Sequence, residues 1–200
     1  NLIGCFGCYF LEYASRQNFL AQGLLQDLAE KDFLTGLLNR RAFSERAERS
    51  WRQAQRERQA LVLVMMDVDY FKRYNDHYGH AAGDEALRAV GQVIGRQARR
   101  ALDMTARYGG EEFVGLWYGI EEAQAVSLLE NIRSEVEALA LPHAKSEAAG
   151  VVTLSIGLAY LLPQPHQSLE DALRLADVAL YLAKEQGRNR VVSKRPGGPA

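Results

Sequence analysis

Strand periodicity occurs at five places along the chain. The clearest is a solid apolar run at residues 61–66, whose length and composition are typical of a strand buried on both faces. Two further strands are separated by Gly109 and Gly110, a pair that favours a hairpin turn. The segments with strand character are residues 61–66, 105–108, 111–118, 151–160 and 190–192.

Helical periodicity fills the intervals between these strands. Asn39 is the predicted N-cap of a helix that starts at Arg40. Ser168 opens a capping box, and Gly187 closes that helix after about Glu185. The predicted helices cover residues 40–58, 86–100, 123–139 and 168–185. The pattern therefore predicts an α/β (α+β) domain with a central mixed sheet of about five strands flanked by helices.

The first part of the chain, residues 1–31, is predicted to form one continuous helix without proline. Its apolar residues recur at spacings of three and four with Asn18 between them, which predicts a short coiled-coil seam. An amphipathic helix packed on its own domain is the alternative. We therefore divide the chain into an N-terminal helix (1–31), a folded domain (32–193) and a loose tail (194–200).

An apolar run at residues 2–11 opens this helix. It is too short to cross a bilayer, which takes about 20 residues. We interpret it as the end of a membrane helix, with a buried core or dimer helix as the alternative. Cys5 and Cys8 lie in this run at a C-x-x-C spacing, but no second pair follows, so we assign them to the apolar segment rather than to a metal site.

Composition and charge narrow the class of protein. Apolar residues make up 48% of the chain and charged residues 24%, as in a soluble globular domain. The formal net charge is −1, which gives no support to duplex binding because such proteins carry a basic face. We therefore expect no nucleic-acid partner. A nucleotide enzyme stays possible, since it needs only a few local cations.

Two aspartates follow the buried strand predicted at residues 61–66. Asp67 and Asp69 are two residues apart and so point to the same side of the backbone. They lie at the carboxyl end of the strand, where open α/β sheets bind ligands. Paired carboxylates suit Mg²⁺, and Lys72 adds a positive charge for a phosphate. The alternative is a pair of aspartates that only caps a loop.

Two glutamates follow the glycines of the predicted hairpin. Glycine at the tip allows a ligand to approach the backbone closely. Glu111 and Glu112 would point in opposite directions if the second strand began at Glu111. Taken alone, the segment is best explained as a plain hairpin with charged edges.

The hairpin segment, Gly-Gly-Glu-Glu-Phe at residues 109–113, resembles the signature of the GGDEF family of diguanylate cyclases in its GGEEF form. Further segments resemble this family's motifs in the same order, over residues 32–192. They are residues 32–41, 67–76, 78–80 with Gly83-Asp84, 155–157, and 183–184 with 187–190. The resemblance implies a fold like that of nucleotide cyclases and polymerase palms. It also implies an enzyme that condenses two GTP molecules into cyclic di-GMP and two diphosphates.

The resemblance also implies a set of catalytic roles. Asp67, Glu111 and the backbone carbonyl of Val68 would hold Mg²⁺, for which Mn²⁺ can substitute. Glu111, with Glu112 beside it, would accept the proton of the 3′-hydroxyl that attacks the α-phosphate. Lys72 would stabilise the charge that develops there.

A second group of residues is implied to bind the substrate: Phe71, Asn75, His80, Asp84, Gly109, Gly110, Lys184 and Arg188. The Asp84 carboxylate can accept the N–H donors of guanine, which favours GTP over ATP, although Asp84 is also a candidate helix N-cap. Lys184 and Arg188 are four residues apart, which predicts one face of the last helix and suits the β- and γ-phosphates. Two cations that complement the helix C-terminus are the alternative.

Arg100 and Asp103 resemble the R-x-x-D site at which this family binds cyclic di-GMP as an inhibitor. The family often adds an arginine from a segment resembling Glu-Arg-Ile-Arg. This chain has Glu-Asn-Ile-Arg at residues 130–133. Either Asn131 takes that place and product inhibition is weaker, or Arg133 acts instead.

A single domain of this family holds one GTP, so the resemblance implies a homodimer as the catalytic unit. The N-terminal helix would then be a signalling helix below an upstream membrane or sensory region. That arrangement places the domain on the cytoplasmic side of a bacterial inner membrane. The alternative function is an inactive domain that binds GTP or cyclic di-GMP as a receptor. A purely structural dimerisation module would leave the acidic motifs unexplained.

Overall fold

The computed structural model describes residues 30–196. The predictions for the N-terminal helix, its seam and its cysteines lie outside these residues, as does the end of the predicted tail. Within them the strands are β1 (Leu38–Asn39), β2 (Leu61–Val68), β3 (Met104–Gly109), β4 (Glu112–Tyr118), β5 (Leu154–Leu161) and β6 (Val191–Lys194). The helices are α1 (Arg40–Glu57), α2 (Phe71–Tyr78), α3 (His80–Gly95), α4 (Glu122–Ala138) and α5 (Leu169–Glu185).

The strands form one mixed sheet in the order β1-β3-β4-β2-β5-β6. Strand β2 lies inside it and pairs antiparallel with β4 and with β5. The outer pairs, β1 with β3 and β5 with β6, are parallel. The predicted α+β class with a central mixed sheet is confirmed, and the sixth strand is the two-residue β1.

Helices cover both faces of this sheet. Alternate residues of β2 enter two separate cores because successive side chains of a strand point to opposite faces. Val62 and Met66 pack on the face covered by α2, α3 and α4. Leu63 and Met65 pack on the face covered by α1 and α5. Strand β2 is thus buried on both faces, as its apolar run predicts.

Both predicted helix caps are confirmed. The Asn39 side chain accepts a hydrogen bond from the Ala42 backbone N–H at 2.9 Å. The Ser168 hydroxyl accepts one from the Asp171 backbone N–H at 3.1 Å. Each bond satisfies an N–H group that the first turn of a helix leaves without a partner.

Three elements differ from the periodicity. Helix α2 was not predicted, because it is only eight residues long and its N-cap, Tyr70, makes no side-chain capping bond. Helix α3 begins at His80 rather than at residue 86, and it ends at Gly95. Its first turn is polar and small, so apolar spacing does not mark it. Strand β6 continues to Lys194, which is the residue at which the loose tail is predicted to begin.

Helix α5 lies unusually close to strand β5 at Gly157. A Cβ atom at this position would lie 2.1 Å from the Leu180 backbone nitrogen and 2.2 Å from the Ala176 carbonyl oxygen. Both atoms belong to a helix backbone and cannot rotate away. The absence of a side chain therefore sets the distance between α5 and the sheet, and with it the position of the residues at the end of α5.

We expect Gly157→Ala to destabilise the domain by about 1–3 kcal/mol, the usual cost of overpacking a close contact. The measurement is the urea unfolding midpoint at constant m-value. Gly150→Ala is the matched control, because a Cβ atom at Gly150 would have no neighbouring atom within 4 Å. Equal midpoints for the two variants would contradict the close packing.

Candidate active site

The carboxyl end of β2 meets the hairpin between β3 and β4. Asp67, the next-to-last residue of β2, pairs with Glu112 of β4 on one side and Ser155 of β5 on the other. The Val68 backbone N–H donates to the Glu111 carbonyl oxygen at 3.3 Å. The sheet thus brings Asp67, Val68 and the two glutamates together, as the sequence predicts for adjacent strand ends.

Asp67 is the most perturbed acid in this region. The pKa of its carboxyl is raised to about 6, mainly by burial and also by the nearby carboxylates of Glu111 and Asp69, against the lowering effect of Lys184. Lys184 Nζ lies 2.8 Å from Asp67 Oδ2. One ammonium group therefore offsets only part of the cost of burying this charge. A cation next to Asp67 and Glu111 would lower that cost.

Asp69 has a different environment from Asp67, although only two residues separate them. Its side chain is 1% exposed. The hydroxyls of Thr153 and Ser155 donate to it at 2.7 and 2.6 Å, and the Asn189 backbone N–H donates at 3.1 Å. Its oxygens are already used by the protein. Asp69 therefore serves as a structural carboxylate, and Asp67 is the aspartate of this pair that stays a predicted metal ligand.

Glu111 lies in the hairpin turn rather than in a strand. Strand β3 ends at Gly109 and β4 begins at Glu112, so the two-residue turn is Gly110-Glu111 instead of the predicted Gly109-Gly110. Gly110 has φ +52°, which glycine adopts without steric cost. Strand alternation therefore does not set the direction of the Glu111 side chain.

Arg107 ties this turn to the beginning of the domain. Its Nε donates to the Gly110 carbonyl oxygen at 2.9 Å, and its Nη1 lies 3.3 Å from Asp32 Oδ2. Asp32 also accepts bonds from the Thr35 backbone N–H and hydroxyl. The sequence motifs do not reveal this contact, although Asp32 begins one motif segment and Arg107 lies in the strand just before another. It holds the tip of the hairpin in place next to β2.

Lys184 and Arg188 reach the same edge by different routes. Lys184 is in the last turn of α5, but this helix ends at Glu185, and Arg188 follows it with φ +64°. The prediction that the two share one helical face is therefore wrong. Arg188 Nη1 donates to the Lys184 carbonyl oxygen at 3.3 Å, and its guanidinium lies 4.2 Å from the centre of the Tyr70 ring. The two cations still lie close together.

Helices α2 and α3 approach each other closely at Asn75 and Gly83. Asn75 Oδ1 is buried and has no hydrogen-bond partner among the described residues. A Cβ at Gly83 would lie 1.9 Å from that oxygen and 3.2 Å from Phe71 Cζ, so a side chain there would displace the Asn75 amide. A buried amide oxygen without a donor is costly unless a ligand supplies one. Asn75, Gly83 and Phe71 thus come together as predicted.

His80 and Asp84 lie in the first turns of α3, on either side of Gly83 in the sequence. Both side chains are exposed. The N-cap of α3 is Gly79, so the alternative interpretation of Asp84 as the helix cap is wrong. The exposed Lys72 lies in the first turn of α2. These three side chains are accessible to a ligand.

Arg100 and Asp103 line a separate cavity of about 600 Å³ beside α4. Asn131 lines it too, together with Trp117. Arg133 does not, because its guanidinium donates to Glu130, Glu137 and Asn189 on another side of the helix. Of the two candidates Asn131 and Arg133, Asn131 therefore lines this cavity and Arg133 does not.

Within residues 30–196, no group of three or more His, Cys, Asp or Glu side chains is arranged to hold a metal by itself. Within the same residues, no helix has the length and apolarity that crossing a membrane requires. Asp67 and Glu111 together supply two carboxylates, which fits a cation that takes its other ligands from backbone, water and substrate.

Comparison with known proteins identifies the family. The model of the family described as "Diguanylate cyclase, GGDEF domain" matches residues 29–190. The chain belongs to the GGDEF family. This confirms the resemblance seen in its motifs.

Curated relatives of this GGDEF domain are longer proteins. The chain is 37% identical over 174 residues to the probable diguanylate cyclase DgcT of Escherichia coli K12, which covers 87% of this chain and 38% of that protein. It is 41% identical over 160 residues to the diguanylate cyclase DosC of the same strain, with coverage of 80% and 34%. The chain thus spans less than two fifths of the length of these two relatives.

Solved structures of GGDEF domains have the same fold. The coiled coil and GGDEF domain of DgcB from Caulobacter crescentus, in complex with c-di-GMP, has a TM-score of 0.82 at 33% identity and covers 94% of this chain and 99% of that one. The active GGEEF domain of a diguanylate cyclase from Vibrio cholerae has a TM-score of 0.67 at 31% identity, with coverage of 78% and 97%. The likeness extends over most of this GGDEF domain.

We expect Asp67→Asn to raise the thermal midpoint of the metal-free domain by a few degrees. Because the pKa of Asp67 is raised from 3.8 to about 6, the folded state disfavours the charged form. Its contribution to stability is greatest at low pH, falls as pH rises from 3.8 to about 6, and is unfavourable at neutral pH. Differential scanning fluorimetry at pH 7.5 measures the shift.

Added Mg²⁺ should raise the midpoint of the wild-type protein and leave that of Asp67→Asn unchanged. Asp177→Asn is the control, since that exposed aspartate of α5 lies outside the motif segments. A metal response that is the same in Asp67→Asn and wild type would contradict the assignment of Asp67.

Proposed function

We propose that this GGDEF domain is a diguanylate cyclase that converts two GTP molecules into cyclic di-GMP and two diphosphates. The observation that carries the proposal is the arrangement at the end of β2. The partly neutralised Asp67 lies beside the Glu111 turn, and Lys184 contacts it from α5. Acidic groups for a divalent cation and basic groups for phosphates thus occupy one edge of the sheet, as phosphoryl transfer requires.

Asp67, Glu111 and the Val68 carbonyl are the proposed ligands of Mg²⁺, with Mn²⁺ as a substitute. The fit rests on the raised pKa of Asp67 and its repulsion from Glu111, both of which a cation would relieve. When bound, Mg²⁺ would lower the pKa of the 3′-hydroxyl and offset charge on the α-phosphate and the leaving diphosphate. Lys184 would exchange its contact with Asp67 for a contact with phosphate oxygens.

The remaining steps belong to side chains of the domain. Glu111, with Glu112 next to it, accepts the proton of the attacking 3′-hydroxyl. Lys72 supplies positive charge to the phosphate under attack. Lys184 and Arg188 hold the β- and γ-phosphates, which leave as diphosphate. Gly109 and Gly110 keep the backbone immediately before Glu111 free of side chains where the nucleotide approaches.

Guanine is the proposed base, and its proposed position is a groove between α2 and α3. The Asn75 side-chain oxygen is buried without a donor among the described residues, so an N–H group of a base would satisfy it. The Asp84 carboxylate can take the N1–H and N2–H₂ donors that guanine has and adenine lacks. His80 borders the same groove, and the Phe71 ring forms its apolar floor.

A homodimer is the proposed catalytic unit. One such groove holds one GTP, and a product with two guanosine units needs two of them facing each other. The N-terminal helix would bring the domains together in response to an upstream membrane or sensory region. This organisation would place the domain on the cytoplasmic face of a bacterial inner membrane. Cyclic di-GMP would also bind at Arg100 and Asp103 as an inhibitor.

The test of the activity is incubation with GTP and Mg²⁺, and separately with ATP, followed by identification of products by mass. We expect cyclic di-GMP from GTP alone, and a loss of at least about 100-fold in kcat for Glu111→Ala, as for removal of a general base. Glu121→Ala, an exposed residue outside the site, is the control. Tight cyclic di-GMP binding without turnover at any protein concentration would favour the receptor function instead.

The inhibitory cavity gives a second prediction. Arg100→Ala should raise the cyclic di-GMP concentration for half-inhibition by about tenfold, the loss expected for one bidentate charged contact. Asn131→Arg should lower that concentration, because it adds a guanidinium to the same cavity. Turnover at a low concentration of cyclic di-GMP shows whether the active site of each variant is intact. Inhibition that neither variant changes would place product binding elsewhere.

A further inference from the structure

Helix α4 is bonded to the turn that follows α5, and Asn189 is the centre of this connection. Arg133 Nη1 donates to Asn189 Oδ1 at 2.8 Å. Asn189 Nδ2 donates to Glu137 Oε1 at 3.1 Å. Arg133 and Glu137 are themselves paired at 2.8 Å. Both polar ends of the Asn189 amide are therefore held by a charged pair one helical turn apart.

The turn held in this way has an uncommon backbone. Arg188 and Asn189 both have positive φ, +64° and +46°. Two consecutive non-glycine residues in this region are disfavoured and persist only where the surroundings impose the conformation. Asparagine tolerates it better than most residues. The side-chain bonds of Asn189 supply part of that constraint.

The backbone of Asn189 adds a second constraint on this turn. Its N–H donates at 3.1 Å to Asp69, the buried carboxylate that Thr153 and Ser155 also hold. Asp69 follows β2 directly, two residues after Asp67. Asn189 therefore joins the turn to α4 through its side chain and to the end of β2 through its main chain, in addition to the backbone bonds between the turn and α5.

Arg188 precedes Asn189 and has few other constraints. Its guanidinium lies over the Tyr70 ring and donates one bond to the Lys184 carbonyl oxygen. Its backbone N–H donates to the Ala183 carbonyl oxygen. None of these contacts is an ion pair, and the nearby Glu147 carboxyl, whose pKa is lowered mainly by Arg73, interacts only weakly with Arg188. Its direction therefore depends on the conformation of the turn.

We propose that Asn189, clamped by Arg133 and Glu137, is a positioning residue that directs Arg188 at the terminal phosphates of GTP. This inference rests on the proposed function, because it assigns Arg188 to the same substrate site. The amide is suited to the task because it accepts from Arg133 and donates to Glu137 at once. Aspartate would set a second carboxylate against Glu137, and alanine would lose both bonds.

The experiment compares wild type with Asn189→Gly, because glycine keeps the left-handed backbone and the N–H bond to Asp69 but removes the clamped amide. The probes are 3′-deoxy-GTP, which lacks the attacking hydroxyl, and 3′-deoxy-GMP, which lacks the terminal phosphates. We expect affinity for the triphosphate to fall about tenfold, equivalent to about 1.4 kcal/mol, with affinity for the monophosphate unchanged. Calorimetry measures both without turnover.

A double-mutant cycle with Arg188→Ala separates positioning from folding. If Asn189 acts through Arg188, Asn189→Gly should have no further effect on triphosphate affinity in the Arg188→Ala background. Glu130→Gln is the matched control, since Glu130 pairs with Arg133 without contacting Asn189, and it should bind the triphosphate like wild type. Additive losses, or equal losses for both nucleotides, would overturn the proposal.

Failure of this inference is distinct from failure of the proposed function. If the wild-type protein binds the triphosphate but makes no cyclic di-GMP, the proposed cyclase activity is contradicted. The comparison of the two nucleotides still tests the role of Asn189. If the wild-type protein makes cyclic di-GMP and Asn189→Gly binds the triphosphate normally, only the positioning role of Asn189 is contradicted.

Discussion

The pairing of β2 with a strand on each side is the constraint on which the rest of the site depends. Because β4 and β5 hydrogen-bond along its length, β2 is buried throughout, and its last residues emerge where three strand ends meet. Asp67 lies there because it belongs to β2, and Glu111 because the hairpin brings it back to β2. The groups proposed for catalysis are thus positioned by main-chain hydrogen bonds, which few side-chain substitutions disturb.

Burial of two carboxylates at the end of that strand has two different outcomes. Asp69 receives three hydrogen bonds from neutral donors and serves to join β2, β5 and the turn after α5. Asp67 has one ammonium partner, and its raised pKa shows that its charge is incompletely compensated. A fully satisfied carboxylate stabilises the fold, whereas an incompletely satisfied one has capacity for a ligand. The two aspartates thus have different roles, one in the fold and one in the proposed chemistry, because their neighbours differ.

The sequence was sufficient to predict features with a strong local signal. The apolar run of β2 and the caps Asn39 and Ser168 are of this kind, and the ordered motifs gave the family. Helix α2 was missed because its start is a left-handed Tyr70 without a capping bond. The end of α5 was misplaced relative to Arg188 because helical spacing continues past the residue where the backbone turns. Such features depend on tertiary contacts, which periodicity does not contain.

Helix α4 shows why a motif with two candidate residues needs the fold. Asn131 and Arg133 flank the fully buried Ile132, and two positions along an α-helix are separated by about 200°. Once Ile132 points into the core, the two neighbours must face different surroundings. Asn131 therefore lines the cavity with Arg100, while Arg133 holds the turn beside the proposed phosphate site. An arginine at position 133 cannot replace one at 131, because turning the helix to bring it there would expose the core.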